Sequence, residues 1–294
     1  MKRLLRLITV VFLLAMTGSF SGTLDAMNWP SEDAVLFRNF GSNDRGMPVL
    51  GMMFRGGTDI LAAENGEIIF SRNRSDTASR LPSPFGSWTA VDHGDGLISI
   101  YSRYNNDTSD RHQLDARNVS LTQVEKSQSI ASSGISGWSS QNGFYFMIFD
   151  RRERRWINPA LLVTPVLRTR PPQILSVGLL DNQGLPVRSL TQGNYTVLVN
   201  AVSPAVQNPL APYRIICLVN GAETGLLNFE AFSARDGVLM AFRNGLIPVK
   251  KIYSAFPAYE TADIFLSRGQ ATLEIIVQDI EGNSTSSVTR LIVN

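Results

Sequence analysis

Apolar and polar side chains alternate with a period of two along most of the chain, which is the spacing of half-buried β-strands. No long segment shows the three-to-four spacing of an amphipathic helix. Turn-forming pairs such as Asn65-Gly66 and Asn220-Gly221 separate the alternating stretches, as expected for hairpins. We therefore predict an all-β, mostly antiparallel fold. The clearest predicted strands cover residues 67–70, 89–92, 97–101, 144–149, 195–202, 271–278 and 288–293.

A domain boundary is predicted at Thr169-Arg170-Pro171-Pro172. Two adjacent prolines remove two backbone donors and stiffen the chain, and 294 residues exceed what one compact core usually holds. We predict a first domain over residues 27–168, a linker at 169–172 and a second domain over 173–294. The second domain has seven or so short strands at regular spacing, which favours an immunoglobulin-like β-sandwich.

The N-terminal segment has the features of a secretory signal peptide. Lys2, Arg3 and Arg6 precede an apolar run at residues 7–16, and Ala26 is a plausible last residue before cleavage. A run of about ten residues is short of the roughly twenty that cross a bilayer, although an uncleaved anchor is the alternative. We predict a signal peptide over residues 1–26, export to the periplasm or cell envelope, and no integral membrane span after its removal.

Charge and cysteine content narrow the classes of function. The formal net charge of +2 falls to near zero when the signal segment leaves with three positive charges and one negative. A nucleic-acid-binding protein usually carries a clustered basic excess, so we predict no nucleic-acid partner. Cys217 is the only cysteine, so no internal disulfide can form, and its apolar surroundings predict a buried side chain.

Histidine is scarce, which limits the metal chemistry that the chain can support. His93 and His112 are the only two histidines, and neither lies at a short zinc-ligand spacing. A catalytic zinc usually takes three protein ligands, mostly histidines, and one open position for water. Surface or structural roles are the simpler interpretation, and a zinc site using both histidines and a carboxylate is the alternative.

Several short motifs nevertheless occur in the order found in one family. Residues from about 38 to 165 resemble the LytM or lysostaphin-like zinc endopeptidases, which cleave peptidoglycan and hold zinc in the groove of a compact antiparallel β fold. The first motif, Phe40-Gly41, resembles the start of the family domain. The other matching stretches are residues 54–69, 91–104, 128–130, 134–137 and 144–149, followed by Asn158-Pro159.

The resemblance implies a degenerate metal site. The family's His-x-x-x-Asp falls on Arg55 and Asp59, its His-x-His on Phe144 and Phe146, and its remaining catalytic histidine on Arg103. Only Asp59 of the three family ligands is then retained. A guanidinium offers no lone pair and a phenyl ring has no ligand atom, so we expect no zinc and no other cofactor.

The replaced positions suggest two other uses of the groove. We predict an ion pair of Asp59 with Arg55 or Arg103, in which a fixed cation takes the place of the metal; the alternative leaves both arginines in solvent. Phe144 and Phe146 share one face of a strand and are predicted to line the groove floor, with Tyr145 and Met147 on the opposite face. They serve either as simple packing or as an apolar surface for a partner.

The run Arg151-Arg152-Glu153-Arg154-Arg155 lies where the family has a hairpin turn. A solvated turn is the simpler interpretation. Contact with an anionic envelope polymer is the alternative.

These observations predict a catalytically inactive LytM-like envelope protein that binds peptidoglycan or regulates a cell-wall hydrolase. One alternative is an active zinc metalloendopeptidase with an atypical site of Asp59 and His93, with or without His112. Another is a structural scaffold in which the immunoglobulin-like half makes the main contact.

Overall fold

The structure, a computed structural model, describes residues 26–44, 46–72, 83–105, 123–163, 170–205 and 208–294. The predicted signal segment up to residue 25, His112 and Thr169 lie outside these ranges. Strands dominate the described part of the chain and their ladders are antiparallel, so the predicted all-β fold is confirmed. Within the same ranges, no helix is both long enough and apolar enough to span a membrane.

Most strands of the first half belong to one large sheet whose central strand is Gly143–Asp150, and four short strands form two separate pairs. Each of the four strands predicted there lies within an observed strand. The described elements are β1 (Val35–Arg38), β2 (Asn43–Asp44), β3 (Met47–Pro48), β4 (Met52–Arg55), β5 (Asp59–Leu61), β6 (Gly66–Arg72), β7 (Ser87–Asp92), β8 (Leu97–Tyr104), β9 (Gln123–Val124), β10 (Ser129–Ser132), β11 (Gly143–Asp150), β12 (Arg155–Ile157) and a 3₁₀ turn (Pro159–Leu161).

Strand β11 pairs with β8 along one edge and with β4 and β12 along the other. Beyond β8 the sheet continues through β7 and β6 to β9, and β1 pairs with β4. The apolar side chains on one face of these strands form the core of this half, which includes Met52, Phe54, Tyr101 and Ile60. At β11 both faces are buried, because Tyr145 and Met147 pack with Val49 on the opposite side of the sheet.

The described residues of the second half form nine strands and one short helix. The elements are β13 (Gln173–Leu180), β14 (Gly193–Val202), β15 (Arg214–Val219), β16 (Ala222–Arg235), β17 (Val238–Arg243), β18 (Leu246–Pro248), α1 (Val249–Ile252), β19 (Tyr259–Leu266), β20 (Gly269–Gln278) and β21 (Ser284–Val293).

Two layers of strands enclose the core of the second half. Strands β13, β14 and β19 form one sheet, and β21, β20, β15 and β16 run side by side in the other. Alternate residues of β14, such as Val197 and Val199, meet alternate residues of β15 and β20, such as Ile215 and Ile275. Cys217 is fully buried in this core, so its predicted role as a small apolar residue is confirmed.

Backbone pairing joins the two halves. Residues Arg155–Ile157 of β12 pair with residues 231–233 of β16, which carries the first sheet into the second. Phe40 of the first half is fully buried in the core of the second half, where its ring stacks on Phe232 with centroids 4.7 Å apart. Asn158 adds a side-chain hydrogen bond of 2.9 Å from its amide to the carbonyl oxygen of Phe229.

Candidate functional site

Phe144 and Phe146 lie on one face of β11, and Tyr145 lies on the other face together with Arg55. Phe144 and Phe146 are 3% and 0% exposed and belong to the core around Met52 and Phe54. The prediction that they line a groove is therefore wrong, because the register of β11 on β4 turns them inward. Gly143 lies opposite Arg55 and Tyr145 lies opposite Met53, so Tyr145 shares the face of Arg55.

Arg55 ends strand β4 and is held by an aromatic ring. The register of β1 on β4 shifts between Leu36 and Arg38, which leaves Phe37 as an extra residue. Such a bulge redirects a side chain, and the Cζ atom of Arg55 lies 3.2 Å from the centroid of the Phe37 ring. The guanidinium is therefore fixed by a cation–π contact rather than by a carboxylate.

Arg103 is presented by a second bulge. Ser87 lies opposite Tyr104 and Trp88 lies opposite Ser102, so Arg103 is the extra residue of β8. Its φ of 65° is in the left-handed region, which costs a residue with a side chain on the order of 1 kcal/mol or more. Its Cζ atom lies 5.3 Å from the centroid of the Tyr145 ring. The guanidinium of Arg103 therefore lies on the face of the sheet that carries both Tyr145 and Arg55.

Arg55 and Arg103 line the same cleft, which has a volume of about 420 Å³. Strands β1 and β4 form one side of it, and residues 138–142 form the rim. Trp138 on that rim is 78% exposed. We call this feature the arginine cleft, and its lining consists of Phe37, Arg38, Asp44, Met53, Phe54, Arg55, Arg103, Trp138, Ser139, Ser140, Gln141 and Asn142.

The arginine cleft carries an excess of positive charge. Among the described residues that line it, Asp44 is the only acidic one, and Arg38 binds that carboxylate at 2.7 Å. In the described part of the chain, no carboxylate forms an ion pair with Arg55 or Arg103. The Nε atoms of both arginines are buried and have no hydrogen-bond partner among these residues. Two guanidiniums thus retain donors that the protein does not use.

Asp59 does not join the arginine cleft. It begins the short strand β5, is exposed and pairs through its backbone with Ser132 of β10. The predicted ion pair of Asp59 with Arg55 or Arg103 does not form among the described residues, so that prediction is wrong. Gly56 and Gly57 both have positive φ and redirect the chain between Arg55 and Asp59.

His93 has a structural role at another place in the first half. Its Nδ1 atom donates to the carbonyl oxygen of Asn65 at 2.8 Å, and its Nε2 atom contacts the hydroxyl of Ser99 at 2.7 Å. Ser99 continues the chain of hydrogen bonds to the Tyr101 hydroxyl at 3.1 Å, which accepts the N–H of Ala63 at 2.8 Å. Burial lowers the pKa of His93 below its ordinary value, which favours the neutral ring.

These side chains do not offer the lone pairs that a zinc ion requires. Neither Arg55 nor Arg103 offers a lone pair, and both ring nitrogens of His93 already take part in hydrogen bonds. Within the described ranges, no group of three or more His, Cys, Asp or Glu side chains lies close enough together to hold a metal ion. The donors present at the arginine cleft suit an anion rather than a cation.

Sequence reasoning missed Phe37 and Trp138 as residues of this region, and it placed Tyr145 on the correct face of its strand but gave it no role in the site. The β-bulges that place Phe37 and Arg103 leave no trace in an alternating pattern, because each adds a single residue to a strand. The role of Tyr145 depends on how β11 pairs with β4, and the sequence does not give that register. The role of Trp138 has no sequence signal, because an isolated aromatic residue in a loop gives no periodic pattern.

Comparisons with known proteins give partial matches. A protein-family model matches residues 171–294, and no curated protein sequence matches the chain. The catalytic domain of the prophage-encoded M23 protein EnpA from Enterococcus faecalis, in a mutant form, is 16% identical with a TM-score of 0.33, over 45% of this chain and 94% of that chain. A zinc-containing peptidase from Vibrio cholerae is 16% identical with a TM-score of 0.34, over 46% of this chain and 39% of that one.

A chain in the structure of the SpoIIQ–SpoIIIAH pore-forming complex is also similar to this protein. It is 18% identical with a TM-score of 0.34, over 49% of this chain and 95% of that chain. Identities and TM-scores at this level are too low to support an argument about activity, substrate or partner.

Proposed function

We propose that this chain is a catalytically inactive, LytM-like protein of the cell envelope that binds peptidoglycan or regulates a cell-wall hydrolase. The observation that carries the proposal is the arginine cleft, in which Arg55 and Arg103 occupy positions where the resembled family has histidines. A site with two guanidiniums repels a divalent cation and attracts anionic groups. Peptidoglycan carries carboxylates on its stem peptides, so it supplies groups of the required charge.

Loss of catalysis follows from the same residues. In the resembled family, zinc lowers the pKa of a bound water so that it can attack an amide. Neither Arg55 nor Arg103 can act as a metal ligand or as a general base at working pH, because a guanidinium stays protonated. The proposal therefore assigns the arginine cleft to binding and not to hydrolysis.

Export to the envelope is part of the proposal and rests on the basic and apolar N-terminal residues described above. An immunoglobulin-like second domain after the paired prolines is also proposed. The two facing sheets of residues 173–294 support that assignment. Such sandwiches commonly serve as spacers or adhesive modules.

Binding and hydrolysis are tested on the same preparation of the chain without residues 1–26. Co-sedimentation with purified, insoluble peptidoglycan measures binding, and release of soluble fragments from the same polymer measures hydrolysis. We expect retention in the pellet with no release above the buffer control. A further arm adds a wall hydrolase of the same envelope and measures whether the chain changes its rate.

The alternative of an active zinc enzyme with Asp59 and His93 predicts a different result. Metal analysis would then give stoichiometric zinc, and a chelator would abolish fragment release. His93→Gln provides the matched variant for that arm. Chelator-sensitive hydrolysis that also requires His93 would replace the present proposal with this alternative.

A further inference from the structure

We infer that the arginine cleft is a carboxylate-binding site that recognises a free carboxylate of a peptidoglycan stem peptide through Arg55 and Arg103. This inference rests on the proposed function and goes further, because it names the chemical group that is recognised and the two residues that recognise it. It also identifies a role for the aromatic residues around them.

The unused donors of the two arginines are the first observation. Arg38 is neutralised by Asp44 at 2.7 Å, whereas Arg55 and Arg103 have no carboxylate partner among the described residues. Their Nε atoms are buried without a hydrogen-bond acceptor in the protein. Because these Nε atoms are shielded from solvent, a bound carboxylate would accept hydrogen bonds from the terminal N–H groups of the two guanidiniums.

The second observation is that both guanidiniums are held in place before a ligand arrives. Phe37 lies under Arg55 at 3.2 Å, and Tyr145 lies near Arg103 at 5.3 Å. The Tyr145 ring is itself fixed, because its hydroxyl accepts the N–H of Leu50 at 2.6 Å. Preorganised donors lose little conformational entropy on binding, which raises the affinity for a small anion.

The strain at Arg103 is a third, independent observation. Its φ of 65° is one that glycine adopts without cost, so an arginine at this β-bulge is held at a conformational cost. Residues in strained conformations are found disproportionately at binding sites. The left-handed backbone is what places this guanidinium beside Tyr145.

The shape and charge of the arginine cleft favour a peptide carboxylate over a polyanion. Its 420 Å³ accommodates a few residues, and its rim offers polar groups of Ser140, Gln141 and Asn142 to a peptide backbone. The exposed ring of Trp138 lies at the same rim and can stack on a sugar or an apolar side chain. The arginine cleft contributes Arg38, Arg55 and Arg103, and Arg38 is already paired with Asp44, so two guanidiniums remain, which matches one carboxylate better than a long polyanion.

Titration with soluble fragments tests the inference. The probes are a disaccharide–tripeptide fragment of peptidoglycan with free carboxylates, the same fragment with those carboxylates amidated, and inorganic phosphate. Isothermal titration calorimetry on residues 27–294 measures the affinity of the protein for each probe. We expect the free-carboxylate fragment to bind at least about tenfold more tightly than the amidated one, since each tenfold corresponds to one well-placed charged contact.

Variants identify the residues responsible. Arg55→Gln and Arg103→Gln are each expected to weaken binding of the free-carboxylate fragment by about tenfold or more, and the double variant by on the order of a hundredfold. Arg151→Gln is the control, because Arg151 lies in the turn after β11, outside the arginine cleft, where it pairs with Asp92 at 3.5 Å. Its expected effect on binding is less than about twofold.

Chemical modification gives a result that does not depend on the variants folding. Phenylglyoxal modifies accessible guanidiniums, and mass spectrometry locates the modified arginines. The free-carboxylate fragment is expected to protect Arg55 and Arg103 but not Arg151. Equal modification with and without saturating fragment would overturn the inference.

The remaining outcomes separate this inference from the proposed function. Equal affinity for the free and amidated fragments would reject the carboxylate site, as would phosphate binding that excludes the fragment. If the double variant still sediments with whole peptidoglycan as wild type does, the proposed function stands and the carboxylate site fails. If the small fragment binds through Arg55 and Arg103 but whole peptidoglycan does not, the carboxylate site stands and the proposed function fails.

Discussion

Two arginines and two phenylalanines occupy the positions that the family resemblance assigned to zinc chemistry, and the fold uses the two pairs in opposite ways. Arg55 and Arg103 line a cleft with N–H groups that the protein does not use. Phe144 and Phe146 are buried, and Phe144 stacks on Phe54 with centroids 4.7 Å apart. The first pair retains capacity for a ligand, whereas the second pair has become part of the core.

The difference shows that strand register determines which substituted residues remain available for binding. Phe144 and Phe146 lie one position away from the face that Arg55 shares with Tyr145. A shift of one residue moves a side chain to the other face of a sheet. A sequence motif therefore identifies a strand more reliably than it identifies the side chains that reach a site.

The largest expected effect separates the two pairs by stability. Phe146→Ala removes a fully buried ring and leaves a cavity, so we expect the free energy of unfolding to fall by about 3–5 kcal/mol. Arg55→Gln, the matched change on the cleft side, removes a cation–π contact and is expected to cost less than about 1 kcal/mol. Urea unfolding followed by tryptophan fluorescence measures both; similar losses for the two variants would contradict the comparison.

His93 is expected to behave like the phenylalanines rather than the arginines. His93→Ala leaves the carbonyl oxygen of Asn65 and the hydroxyl of Ser99 without their partner, at a cost of about 1–3 kcal/mol. Binding of peptidoglycan should be unchanged, since His93 does not line the arginine cleft. Loss of binding in a variant that remains folded would show that His93 belongs to the site.

The backbone at Arg103 gives a smaller effect with a clear sign. Glycine adopts a φ of 65° without steric cost, so Arg103→Gly should be more stable than Arg103→Gln by roughly 1 kcal/mol. The two variants lack the same guanidinium, and their difference therefore isolates the backbone. Equal stabilities in urea unfolding would show that the left-handed conformation is not strained.

The smallest effect is a dependence of stability on pH. Burial lowers the pKa of His93 in the folded chain, so the unfolded chain binds a proton more readily once the pH falls below about 6.5. The stability from the neutral ring is therefore present above that pH, and it is lost as the pH falls through the folded pKa. Urea midpoints between about pH 8 and about pH 5 should fall more for wild type than for His93→Gln.

Much of the architecture was predictable from the alternation of side chains. All seven strands predicted from period two lie within observed strands, and the buried position of Cys217 followed from its apolar neighbours. The second half contains nine strands rather than seven or so, because the segment after β16 adds the short strands β17 and β18. Short strands of three to six residues give too few alternations to be recognised.

The candidate site was predictable in part. Arg55 and Arg103 were identified from the family resemblance, and they do line one cleft. The ion pair with Asp59 and the groove lining of Phe144 and Phe146 failed, since the first depends on glycine turns and the second on pairing register. The aromatic contact of Arg55 with Phe37 depends on a bulge, which only the three-dimensional pairing reveals.

The pairing of β12 with β16 affects how the chain can be divided experimentally. A polypeptide ending before the paired prolines would leave the backbone donors of β12 unpaired along an open strand edge and would expose the Phe40 ring to water. Open edges and uncovered aromatic rings promote self-association. Fragments truncated between the halves are therefore expected to precipitate during purification, whatever the stability of the sheet they retain.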